Sequence, residues 1–126
     1  GARMLSSMTP VVVARGGVPV LVVGSPGGRT IINSVLQVVL NVIDFGMDVR
    51  EAVEAPRIHH QWLPDVTQFE AHGFPPEVRR DYAALGHAVK RRLPQGIVMA
   101  ITVDRETGWR QGAADSRSFD GGVAGY

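Results

Sequence analysis

The stretch LVVGSPGGRTIINSVLQVVLNVIDFG, residues 21–46, limits what this chain can become more than any other. An apolar, β-branched run stops at a glycine-rich turn, and from Thr30 to Phe45 the residues follow a helical period. Asn33, Gln37, Asn41 and Asp44 fall at steps of four, four and three, which is one narrow polar stripe. The rest of that surface is isoleucine, leucine and valine. A helix apolar over most of its circumference predicts burial on nearly every side. Gly46 is its natural C-terminal stop.

The strands read in the same way. Residues 11–14 (VVVA) and 20–23 (VLVV) flank RGGVP, where Gly16-Gly17 can take the positive φ angles of a hairpin turn. Their apolarity is continuous rather than alternating, which predicts strands covered on both faces, by helices on one side and a further layer on the other. Asp48 and Glu51 form a capping box for a short second helix ended by Pro56. RIHHQWLPD reads as loop or irregular extended chain, and residues 66–70 as a strand. A third helix follows Pro75-Pro76 and stops before Gly86; residues 97–103 pair through DRETG with WRQGAA, and the tail is irregular. Two hairpins with helices alongside make an α+β layered fold, with no repeat or linker to divide it.

Charge narrows the function classes. Thirteen basic and twelve acidic residues leave +1, so no global field points to nucleic acid or an anionic membrane. Lys90, Arg91 and Arg92 read as a solvated strand end. The apolar stretch 31–43 is too short and too polar to span a bilayer. With no cysteine there is no thiolate nucleophile or thiolate metal site. His59 and His60 are adjacent and diverge in extended chain, which suits structural histidines better than a metal pair. His72 and His87 have no evident partners, and Trp62 reads as a packing anchor. Asp115 and Arg117 could pair locally or order the tail, and nothing in the sequence makes them catalytic. The residues call for no cofactor and no metal.

GSPGGRT opens a helix where backbone N–H groups can hold an anion. It departs from the phosphate loop, with three residues between Gly24 and Gly28 in place of four and Arg29 where a lysine belongs. Two readings remain on pattern alone. Gly27 and Gly28 either make a plain tight turn, or their unhindered amides form an oxyanion hole for acyl transfer.

LSSMTP, GSPGG, VLQVVLNVIDFGMDVREAVEAPRIHHQWLPD and GAADSR…GY together resemble the γ-glutamyltranspeptidase family, in order and spacing, from Arg3 to Tyr126. The resemblance implies a partial αββα sandwich of the N-terminal nucleophile hydrolase type. It further implies γ-glutamyl transfer or hydrolysis, from glutathione-like amides, by an N-terminal threonine whose own amine is the base. By motif, Ser6 and Ser7 correspond to the pair that holds the substrate α-carboxylate, and Gly27 and Gly28 to the oxyanion-hole donors. The matching threonine lies upstream of SSM, and Thr9 is internal, so residues 1–126 are expected to form a single-domain C-terminal part of a small subunit, inactive alone. Its partners would be a small γ-glutamyl substrate and the remainder of the same proenzyme, large subunit and start of the small subunit. Self-association through uncovered strands is a further expectation, and the resemblance suggests a periplasmic or extracellular setting. The alternatives are a self-contained anion-binding module using the Gly27–Thr30 turn, or a related amide acylase.

Overall fold

A computed structural model describes Gly1 and residues 9–125. Strands β1 (Val11–Arg15) and β2 (Val18–Gly24) are joined by Gly16 and Gly17, both at positive φ (59° and 80°), so the two-residue turn matches the strands' own twist. A 3₁₀ turn (Gly28–Thr30) leads into α1 (Ile31–Ile43), and α2 (Val49–Glu54) follows. Then come β3 (Ile58–His59), β4 (Thr67–Glu70), α3 (Pro76–Ala84), β5 (Val89–Arg92), β6 (Met99–Val103) and β7 (Arg110–Ala114).

The two expected hairpins merge into one antiparallel sheet of order β1-β2-β6-β7, with Val23 opposite Ala100 and Met99 opposite Ala114. A second sheet, β3-β4-β5, was only partly legible. In it β4 and β5 run parallel, connected through α3, and β3 is too short for any periodicity to announce it. The α+β reading stands. Leu21, Val23, Ala100 and Ala113 of the large sheet, with Val98 just before β6, pack on Ile31, Val35 and Val38 of α1 and on Val49, Ala52 and Val53 of α2. Asp48 caps α2 as expected: its carboxylate accepts from Glu51 N–H at 2.8 Å, and Glu51 reaches back to the Asp48 N–H at 3.4 Å. Gly46, at φ 66°, ends α1 while Met47 N–H bonds back to Asn41 O.

Two expectations need correction. Among the described residues, helices cover the sheet on one face only. Val12, Val22, Met99 and Ile101 point away from the helices and stay exposed, with part of the tail as their cover: Val123 seats in the notch left by Gly112. Continuous apolarity therefore marks a second face that no other layer among the described residues covers. Helix α1 is likewise not enclosed. Ile32 and Leu36 are 67 % and 51 % exposed, while the polar stripe faces inward. Gln37 donates to Ile58 O at 2.8 Å and accepts from Ile58 N–H at 2.9 Å, completing the ladder of a two-residue strand, and Asn41 bonds Ala52 O. Gln37 and Asn41 in the stripe satisfy backbone groups, while Asp44 at its end is exposed.

The two sheets are tied by a buried four-charge network. Arg57 meets Asp115 at 2.8 Å, and Arg117 bridges Asp115 (3.0 Å) and Glu70 (2.7 Å). Both carboxylates also accept backbone N–H groups: Glu70 from Arg57 and Gln95, Asp115 from Val98 and Arg117. The guanidinium groups donate to Val53 O and Ala55 O, the carbonyls left over at the end of α2. Asp115 and Arg117 thus pair locally and order the tail, as the sequence allowed. Burial alone would raise the Asp115 carboxyl, but the Val98 and Arg117 N–H groups and the flanking guanidinium charges hold it below its ordinary 3.8.

Removing one member strands its partners as buried charge. Asp115→Ala is therefore expected to cost about 3–5 kcal/mol in chemical denaturation. Because the folded carboxyl titrates below the unfolded one, its contribution is complete above about pH 3.8 and is lost as the pH falls toward the folded value. The wild-type melting temperature should consequently drop more steeply on acidification than that of Asp115→Asn.

Candidate functional site

The glycine turn sits between the end of β2 and the start of α1, held from both sides. Ser25 is buried and donates to Pro26 O at 2.7 Å, while its oxygen accepts from Ile97 N–H at 3.3 Å. Thr30, also buried, donates through Oγ1 to Gly27 O at 2.9 Å, and its N–H reaches the same carbonyl. Ile31 N–H takes Gly28 O. The turn's carbonyls are thus spoken for by the helix behind them.

Its amides are not. Residues 26–29 are exposed, and among the described residues neither Gly27 N–H nor Gly28 N–H donates to a protein acceptor. Gly27 has φ 141° and ψ 15°, a conformation closed to residues with a Cβ, and Gly28 has φ 60°. A Cβ on Gly27 would stand 3.0 Å from Thr30 Oγ1 and 3.4 Å from Gly96 Cα, whereas one on Gly28 would meet open space. Two successive unengaged donors at the mouth of α1 can hold a negative oxygen, reinforced by the helix N-terminus. Arg29 is exposed beside them.

A groove of about 700 Å³ runs along the bare sheet face, past Val22, Met99, Ile101 and Val123, and ends at Ser25 and Pro26 beside the glycines. A larger one, about 940 Å³, opens at the other end of β2, between Arg15, Asp48, Arg105 and Trp109, and contains none of the turn. Neither groove is lined by Gly27 or Gly28 themselves.

Of the residues singled out in the sequence, Gly27 and Gly28 stand together here, while Ser6 and Ser7 lie outside the described residues. The histidines part company: His59 is fully buried and bonded to Gln61 at 3.0 Å, and His60 pairs with exposed Asp65 at 3.0 Å. Trp62 is not a buried anchor. It is 76 % exposed at φ 70°, on a loop that projects from the small sheet. His87 does have a partner, stacking on Tyr82 at 4.4 Å. Sequence reasoning missed Ser25, Gly96 and Ile97 as supports of the turn; only Ser25 adjoined the motif.

A sequence profile described as gamma-glutamyltranspeptidase matches residues 1–126. A glutathione hydrolase proenzyme of Escherichia coli (strain K12) is 47 % identical over 124 residues, covering 98 % of this chain and 21 % of the relative. Among solved structures, a Helicobacter pylori gamma-glutamyltranspeptidase mutant superposes with a TM-score of 0.87 at 44 % identity, over 93 % of this chain and 64 % of that one. A gamma-glutamyltranspeptidase from Pseudomonas nitroreducens, complexed with L-DON, gives 0.86 at 36 % identity, over 100 % and 66 %. The chain thus spans about one fifth of the E. coli relative's length.

Both glycines occupy positive φ, but only Gly27 is also crowded. Gly27→Ala should lower stability by about 2–3 kcal/mol and Gly28→Ala by about 1, an order that differential scanning calorimetry would check.

Proposed function

The chain belongs to the γ-glutamyltranspeptidase family, and on that premise we propose that it supplies the oxyanion-stabilising part of a γ-glutamyl acyl-transfer site. The observation that carries the proposal is the exposed Gly27–Gly28 pair at the start of α1, whose amides donate to no acceptor among the described residues. The nucleophile in this reading is a threonine outside residues 1–126, which span about one fifth of the E. coli relative's length. Residues 1–126 act as one domain of a larger polypeptide.

In this reading the threonine hydroxyl adds to the γ-carbonyl carbon of a glutathione-like amide and its proton passes to the threonine's own α-amine. The carbonyl π pair moves onto oxygen, and that oxyanion accepts from Gly27 and Gly28 N–H. Collapse expels the amine, which takes up the proton and leaves a γ-glutamyl ester. Water or an acceptor amine then attacks the ester past a second oxyanion in the same cradle. Fixed amides do this at little reorganisation cost, because their carbonyls are already tied into the helix. By motif, Ser6 and Ser7 are the residues that would hold the α-carboxylate.

The bare face of the large sheet supports the same assignment. One helix layer on one sheet is half of a four-layer sandwich, and Val12, Val22, Met99 and Ile101 form the surface on which a second sheet from the rest of the polypeptide would close. Left uncovered, that face is also where copies of this chain would self-associate.

The test is hydrolysis of γ-glutamyl-p-nitroanilide. The full polypeptide should turn it over and residues 1–126 alone should not. In the full polypeptide Gly27→Ala keeps the N–H but cannot hold a φ of 141°, so it should displace the donor and lower kcat about tenfold to a hundredfold. Ser6→Ala or Ser7→Ala should raise KM about tenfold or more, since each removes a bond to a charged group. Turnover by residues 1–126 alone, or an undiminished kcat in Gly27→Ala, would overturn the assignment.

A further inference from the structure

Resting on that acyl-transfer reading, we propose that Gly96 is a positioning residue: the Gln95–Ile97 segment is a strut that sets where the Gly27 and Gly28 amides stand. The segment lies far from the turn in sequence and directly beneath it in space. Gly96, at φ 70°, fits between α1 and the turn because it has no side chain. A Cβ there would collide with Ser34 Oγ and come within 3.1 Å of Ser34 Cβ and 3.5 Å of Ser25 Oγ. The Gly96 Cα is itself 3.4 Å from the place a Gly27 Cβ would take. One residue on, Ile97 N–H holds Ser25 Oγ. So this short strut touches the turn at Ser25 and at Gly27, and touches α1 at Ser34.

What makes it a strut is its other end. Gln95 N–H donates to Glu70 at 2.8 Å, and Gln95 O accepts from Arg57 at 3.1 Å, inside the buried charge network. Gln95 is 4 % exposed and Ser34 1 %, whereas residues 26–29 face solvent. A side chain forced in at Gly96 therefore collides with buried Ser34 on α1 and pushes the strut off α1, and a shift of the strut passes to the exposed turn through the Ile97–Ser25 hydrogen bond and the close approach of Gly96 Cα to Gly27. Displacing those amides weakens interactions made only with the oxyanion of the transition state, so the loss falls on kcat rather than on KM.

The experiment compares three variants of the full polypeptide. Gly96→Ala should lower kcat for γ-glutamyl-p-nitroanilide roughly tenfold to a hundredfold with KM within about twofold. Adding Ser34→Gly, which removes the colliding side chain, should restore most of that kcat. Gly108→Ala is the control: its φ of 72° carries the same backbone strain, but nothing lies within 4 Å of its Cβ and it sits in the distant β6–β7 turn, so kcat should not change. Unchanged kcat in Gly96→Ala, an equal loss in Gly108→Ala, or no rescue by Ser34→Gly would each overturn the strut. If the wild-type polypeptide has no γ-glutamyl turnover, the acyl-transfer reading fails instead. The strut is then decided by the Gly96→Ala crystal structure, in which residues 27–28 are displaced if it is right and unmoved if it is wrong.

Discussion

The arrangement depends on four charges held out of water. Arg57, Glu70, Asp115 and Arg117 come from the end of α2, from β4, and from the chain just after β7, and they meet within hydrogen-bond distance. Such groups are tolerated in an interior only when every charge has a partner and the spare lone pairs have donors. Here the spare acceptors take the N–H groups of Arg57, Gln95, Val98 and Arg117, so the network fixes main chain as well as side chains. Two small sheets with little apolar contact between them become one body through it. It also anchors the segment that underlies the glycine turn.

The distribution of apolar surface is explained by what lies on each side of this single layer. Facing the helices, the sheet has a close-packed core of small and branched residues. On the other face, valine, methionine and isoleucine remain exposed, and so does the Ile32–Leu36 side of α1. Isolated apolar residues at a surface need no explanation, but contiguous strips on both outer faces do. They are what one α/β half of a layered sandwich looks like, and the superposition on γ-glutamyltranspeptidase chains, which this chain covers to about two thirds, agrees with that.

The chemistry follows from a division of labour within one turn. The carbonyls of Gly27 and Gly28 point back into α1 and are bonded by Thr30 and Ile31, which leaves the amides outward. A residue with a Cβ at Gly27 could not hold that geometry, because φ 141° with ψ 15° is open only to glycine. Rigidity comes from below, through Ser25, Gly96 and Ile97, and exposure from above. That combination is what the proposed oxyanion role requires: donors that do not have to reorganise as charge develops.

How much of this was legible in the sequence depends on the range of the interactions. Local chemistry could be read directly: the Gly16-Gly17 hairpin, the Asp48–Glu51 capping box, the Gly46 stop and the strands on either side of DRETG each rest on contacts between near neighbours. The family, and through it the oxyanion reading of Gly27 and Gly28, came from motifs in register. Three things needed the tertiary structure. The polar stripe of α1 faces inward because Ile58, twenty-one residues beyond Gln37, needs a partner for its backbone. β3 and β5 exist because β4 lies between them, not because their own residues alternate. Gly96 matters only because the chain returns beneath Ser34. Periodicity and capping report what a residue does to its own backbone; they carry no information about which distant segment will press against it, and that is settled only when burial brings the segments together.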